Sequence, residues 1–104
     1  MLLSTTETIT GKTIVTHIGL VRGNTIRARH IGKDIMAGLR NLVGGEISDY
    51  TKLMAESREQ ALDRMTEHAK QLGANAIVGV RFSTSMIMQM ASEILVFGTA
   101  VVVE

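Results

Sequence analysis

The run Ile94-Leu95-Val96-Phe97, followed by Val101-Val102-Val103, constrains this sequence more than any other feature. Its β-branched content marks a strand over about residues 93–103, and successive strand residues face opposite ways. Apolar side chains therefore point to both faces, and both faces need cover. Residues 14–21 make the same demand, because Ile14, Ile18 and Leu20 alternate with Val15 and Val21. One helix layer covers one face of a sheet. The other face asks for a neighbouring copy of the chain.

The helix layer is legible between these strands. Tyr50, Leu53, Met54, Ala61, Leu62, Met65, Ala69 and Leu72 form an apolar stripe at helical spacing, opposite Lys52, Glu56, Glu59, Asp63, Glu67 and Lys70. Ser48 or Asp49 suits the N-cap, and Gly73 stands where a helix-ending glycine belongs. A shorter helix is expected over residues 30–43, from Ile31, Ile35, Leu39 and Leu42, stopped by Gly44-Gly45. Strands are expected over residues 2–5, over 14–21 after a turn at Thr10-Gly11-Lys12, and over 77–84. In the last of these Val78, Val80, Phe82 and Thr84 share one face, and Ile77, Gly79, Arg81 and Ser83 share the other. Gly19 and Gly23 signal a bulge or a close backbone approach. The expected fold is α+β, a small antiparallel sheet packed on the long helix in the order ββααββ, as a single domain over residues 1–104.

Composition sharpens the covering problem. Charged residues make up 20% of the chain, below the usual ~25%. Aromatic residues are only 3%, so the core is aliphatic. A domain of this size cannot hide so much apolar surface alone. No run reaches the roughly 20 apolar residues of a spanning helix, so a membrane is not the expected outlet. A closed homo-oligomer is, since such assemblies dominate among soluble proteins. The N-terminus lacks a signal peptide's basic and apolar regions, and there is no cysteine, so a cytoplasmic location is expected. A net charge of +1 and the lack of stacking aromatics argue against nucleic acid as a partner.

Several residue groups invite a chemical reading. Gly11-Lys12-Thr13 mimics the end of a phosphate-binding loop, but Thr6 stands where the motif needs glycine and strand follows instead of helix, so a β-turn is expected. His17, His30 and His68 lack metal-ligand spacing among themselves. Met86, Met88 and Met90 present three thioethers at strand spacing, a conceivable Cu(I) set, although methionine is also a common filler of adaptable surfaces. Arg22, Arg27, Arg29, His30 and Lys33 concentrate positive charge near an expected helix N-terminus, which suits an anionic ligand; a solvated basic face balanced by a neighbour's acidic helix is the plainer account. Arg58, at the edge of the apolar stripe, would need a carboxylate partner such as Glu46 or Glu93. No activated nucleophile stands out, and the sequence offers no positive case for catalysis.

Five stretches in order carry a family resemblance: Gly23-Asn24-Thr25-Ile26-Arg27-Ala28-Arg29; Gly44-Gly45-Glu46 with Tyr50 and Leu53; Glu56-Ser57-Arg58-Glu59-Gln60-Ala61; Gly73-Ala74-Asn75-Ala76-Ile77-Val78-Gly79-Val80-Arg81-Phe82; and Glu93-Ile94 with Gly98-Thr99-Ala100-Val101-Val102. Together they make the chain resemble the YbjQ family of uncharacterised bacterial proteins, a family labelled as heavy-metal-binding. The resemblance implies a dodecin-subunit-like fold assembled as a ring, a homopentamer, with a metal ion as the conceivable cofactor. It carries no ligand set residue by residue. The tip at residues 86–90 is usually polar in that family, and tyrosine is frequent where Phe97 stands here. The readings that follow are a homo-oligomeric binding or scaffold protein without catalysis, a metal-binding protein, or an enzyme whose site forms between subunits.

Overall fold

The computed structural model describes residues 1–28, 48–88 and 91–104. Among the described residues there are four strands and one helix: β1 (Leu2–Leu3), β2 (Ile14–Ala28), α1 (Ser48–Gln71), β3 (Ala76–Met88) and β4 (Ala91–Val103). The helix expected over residues 30–43 lies outside the described residues. The fold is α+β, with α1 packed on a four-stranded sheet of order β1-β3-β4-β2.

The sheet is mixed, which corrects the antiparallel expectation. β4 runs antiparallel to both β2 and β3, but β1 pairs parallel with β3, Leu2 opposite Ala76 and Leu3 opposite Ile77. The chain begins beside β3, then crosses to β2 at the opposite edge. Alternation along a strand reports which residues share a face and says nothing about the direction of a distant neighbour.

Helix α1 ends as its sequence dictates. Gly73 takes a positive φ of 86°, the Gly73 N–H donates to the Lys70 carbonyl at 3.0 Å, and the Ala74 N–H donates to Ala69 at 3.0 Å. These two bonds are a Schellman motif, with Ala69 and Ala74 both in the core. The side chains of Ser48 and Asp49 lie outside the described residues.

The core lies between α1 and the sheet. Ala61, Met65 and Ala69 meet Val21, Ile77, Val96 and Ala100. Thr25 and Ser57 are buried among them. The Thr25 hydroxyl donates to the Ser57 carbonyl at 3.2 Å, and the Ser57 hydroxyl donates to the Leu53 carbonyl one turn back at 2.8 Å, so neither is left unpaired. Gly23 is buried under the helix, and a Cβ there would meet the Ala61 carbonyl oxygen and stand 2.5 Å from the Met65 nitrogen. The close approach expected of Gly23 is therefore real. Gly19 sits at a register shift in β2 with φ 143°, the expected bulge.

A register shift between Val78 and Arg81 in β3 corrects the alternation read from the sequence. Gly79 adopts φ 64° there. Val80 joins Ile77 in the core under α1, while Val78 joins Val101 and Val103 on the other face. The residue inserted at Gly79–Val80 reverses the facing of everything after it.

The molecule is long. Its radius of gyration is 17.1 Å and its extents are 54 × 23 × 17 Å, whereas a compact chain of this length would have a radius near 13 Å. A 15-residue strand such as β2 spans ~50 Å. Helix α1 lies chiefly over β2, less over β4, and barely touches β3.

Candidate functional site

The sheet face away from α1 can be read row by row from the pairing. Leu20, Thr99 and Val78 stand abreast; next come Arg22, Phe97 and Arg81, then Asn24, Leu95 and Ser83, and then Ile26, Glu93 and Ser85. Neighbours within a row have Cβ atoms about 5 Å apart, and rows on one face are about 7 Å apart. Arg22 and Arg81 therefore stand on either side of Phe97 in the sheet. The Asn24 amide donates to the Glu93 carboxylate, one of the partners considered for Arg58, at 3.1 Å; Arg58 itself is exposed.

At one end of this face the N-terminal segment forms a strap. After β1 it continues along β3: the Ser4 N–H donates to Ile77 at 2.9 Å, the Val80 N–H to Ser4 at 3.0 Å and the Gly79 N–H to Thr6 at 2.9 Å. The Arg81 guanidinium adds a bond to the Thr5 carbonyl at 2.7 Å. The bulge in β3 thus turns two of its backbone donors towards the strap. A hydroxyl chain links Ser4 to Thr6 and Thr6 to the Thr8 carbonyl. Ile9 then packs on Val78, Val101 and Val103, and Lys12 N–H closes a turn on Ile9 at 3.0 Å with Gly11 at φ 81°. This is the β-turn expected at Gly11-Lys12-Thr13. Reciprocal bonds of 2.9 Å between Thr13 and Glu104 seat the start of β2.

Between strap and sheet lies an open cleft of about 460 Å³, lined by Glu7, Thr8, Ile14, His17, Val78, Gly79 and Thr99. Its size falls within the usual range for small-ligand sites, and an aliphatic floor with a few polar groups is their usual lining. His17 is exposed, directly before the bulge at Gly19 and opposite Val101. Glu7 reaches the cleft from the strap.

The residues singled out in the sequence are placed unevenly. Arg22 lies exposed beside Phe97. Arg27 stands opposite Ser92 in β2, with its side chain outside the described residues. Arg29, His30 and Lys33 lie outside them entirely. Met86 is 71% exposed. Met88 closes β3 opposite Ala91, and a register shift separates it from Met86, whose partner is Ser92. The Met88 side chain and Met90 are outside the described residues. His68 is half-buried on α1. Glu7, Thr8 and Thr99 were not anticipated. No motif marks them, because a strap returning over the sheet brings them together from distant positions.

Among the described residues no three His, Asp or Glu side chains gather as a metal site would need. No described helix is long and apolar enough to cross a membrane.

The model of the YbjQ family, described as “Putative heavy-metal-binding”, matches residues 1–104. The chain belongs to that family. A UPF0145 protein of Dehalococcoides mccartyi is 59% identical over 104 residues, covering all of both chains. A UPF0145 protein of the archaeon Methanosarcina acetivorans is 55% identical over 101 residues, 97% of this chain and 95% of the relative. The family is therefore not confined to bacteria, which corrects the sequence-based expectation. A crystal structure of a protein of unknown function from Pediococcus pentosaceus, assigned to the DUF74 family, superposes with a TM-score of 0.67 over 100% of this chain and 98% of that one. At 15% identity it speaks for the fold of the YbjQ chain alone.

Proposed function

We propose that this chain is a self-assembling binding protein without catalytic turnover, its copies arranged head to tail in a ring. Five copies is the number the family resemblance implies. The observation that carries the assembly is the pair of uncovered apolar surfaces. Leu20 is 64% and Ile26 56% exposed on the open sheet face, while Phe82 is 47% exposed and Met86 71% on the strand that α1 leaves bare. Surfaces of this kind on both sides of a long sheet suit a heterologous interface, in which one patch meets a different patch on the next copy and a rotation closes the ring. Size-exclusion chromatography with light scattering tests it at micromolar concentration. A mass of several chains is expected, and a stable single chain overturns the proposal.

A second reading, metal binding, is favoured by one feature of the cleft: an imidazole and a carboxylate, His17 and Glu7, line the same space. The family description points the same way. Calorimetric titration with Zn(II), Ni(II) and Cu(I) tests this reading separately from assembly.

A further inference from the structure

We infer that copies of this chain join edge to edge into one continuous sheet, the free edge of β3 in one copy pairing in parallel with the outer edge of β2 in the next. The inference rests on the assembly reading and names the surfaces that meet.

Both edges are closed at one end of the sheet and open at the other. Along β3, Ala76 and Ile77 are flanked by β1, and the Gly79 and Val80 N–H groups are taken by the strap. From Arg81 to Met86 the pairing with β4 is regular, and among the described residues no strand lies on the outer side. N–H groups alternate in direction along a strand. Since that of Val80 points outward to Ser4, those of Phe82, Thr84 and Met86 point outward too. β2 has its register shifts no later than Gly19, and such bulges blunt an edge; beyond them it runs regularly to Ala28. The rows from Arg22–Phe97–Arg81 to Arg27–Ser92–Met86 put the two open stretches level, on opposite sides of the sheet. Side-by-side repetition brings one against the other, with both strands running the same way.

Edge strands that stay unpaired are usually guarded by charge or proline. Residues 82–86 hold neither, and Arg81 is turned back to the Thr5 carbonyl. On β2, Arg64 donates to the Asn24 carbonyl at 2.6 Å, which leaves that oxygen a second lone pair. Exposed large apolar side chains follow the same edges: Leu20 and Ile26 on β2, Phe82, Met86 and Ile87 on β3, and none among the described residues of β4 between them. The helix is offset to match. A helix about 10 Å across covers about two strands, and α1 sits over β2 and β4. The α1 side of β3, with Phe82 and Met86, is left bare. In a continued sheet the neighbour's helix, over its own β2, stands beside that strip.

The test uses the full chain at micromolar concentration, with light scattering for mass and hydrogen exchange for backbone pairing. The N–H groups of Phe82, Thr84 and Met86 are expected to exchange about 100-fold more slowly than unpaired amides. Thr84→Pro removes an outward donor at an edge position, where proline is tolerated, and Ile26→Lys puts a charge on the opposite edge. Each should fall to single chains. Mixed in equal amounts, the two should form pairs, because each keeps the edge the other has lost. Circular dichroism checks the fold, and Met86→Lys takes the place of Thr84→Pro if proline unfolds the chain. An assembled wild type whose three amides exchange freely overturns the edge pairing and leaves the assembly reading in place. Mass and protection that both persist in Thr84→Pro overturn it as well, since residues of the same chain then cover the edge. A mixture that forms no pairs refutes the use of two different edges. A wild type that is a single chain overturns both the inference and the assembly reading.

Discussion

Replacing Gly23 by alanine tests the packing of helix on sheet more directly than any change in the apolar core. The φ of Gly23 lies outside the left-handed region, so alanine meets no conformational strain and the effect is steric. The added methyl would collide with the Ala61 carbonyl oxygen, stand 2.5 Å from the Met65 nitrogen and 3.0 Å from Arg64 Cβ. The first two are backbone atoms within α1, so no rotamer change relieves them. The helix must lift by about 1 Å, and a gap of that size forfeits a quarter to a half of each dispersion contact beneath it. Overpacking of this kind costs about 1–3 kcal/mol and occasionally more; backbone rigidity places Gly23→Ala at the upper end, about 3 kcal/mol. Restricting the unfolded chain returns about 0.4–1 kcal/mol, leaving a net loss near 2–2.5 kcal/mol. With a urea slope of about 1.5 kcal/mol/M, the midpoint falls by roughly 1.5 M. The measurement compares both proteins at one protomer concentration, since any assembly makes apparent stability concentration-dependent. A midpoint within about 0.3 M of wild type would show that α1 does not lie against Gly23 as described.

Three further outcomes follow from individual contacts. Asn75 clasps the end of β4 with two bonds, its amide donating to the Val103 carbonyl at 2.9 Å and its carbonyl accepting from the Val103 N–H at 2.8 Å; Asn75→Ala should cost about 2 kcal/mol in urea unfolding and speed hydrogen exchange at Val103. Thr25→Val preserves shape but removes the bond to the Ser57 carbonyl, and a loss of about 1 kcal/mol is expected by the same assay. Leu20→Asp puts a charge on the open face, where the side chain is 64% exposed; light scattering should show a smaller mass, while the urea midpoint measured on dilute chain shifts by no more than ~0.5 kcal/mol equivalent. An unchanged mass would remove the open face from the proposed interface.

The sequence revealed what depends on local pattern. The stripe from Leu53 to Leu72 and the glycine after it specified α1 to within a residue or two of its end, because helix period and Schellman chemistry are local. Gly19 and Gly23 were readable as marking a bulge or a close approach, though not which was which, because a missing Cβ has few other uses inside a strand. The facing of β3 was not readable. Val78, Val80 and Phe82 alternate cleanly in sequence, yet the extra residue at Gly79–Val80 puts Val78 on one face and Val80 on the other. Only the partner strand reveals such a slip. The parallel pairing of β1 was hidden for the same reason. The cleft was hidden more deeply: Glu7 and Thr99 come together through a strap whose course is set by bonds to a bulge, and neither end of that arrangement has a spacing signature.

The irregularities of this sheet explain why a small, strongly apolar chain can carry a polar cleft at all. A regular β3 would direct alternate donors to β4 and the remainder to its outer edge in one plane. The inserted residue instead offers Gly79 and Val80 N–H groups to the strap, and the strap covers Val78, Val101 and Val103 with Ile9. That part of the open face is thereby closed within the chain. Beyond Arg81 the strap has ended, β1 no longer flanks β3, and the apolar side chains left on the face are Leu95 and Ile26, while Leu20, abreast of Val78, is exposed on the β2 side of the strapped part. On β3 and β4, cover from the chain's N-terminal segment and the proposed cover from a neighbour are thus divided along the strands, with Phe97 and Arg81 at the boundary. Arg81 reaches back to the strap through Thr5, whereas Arg22 is exposed on β2, away from the strap, on the side where the proposed neighbour would arrive.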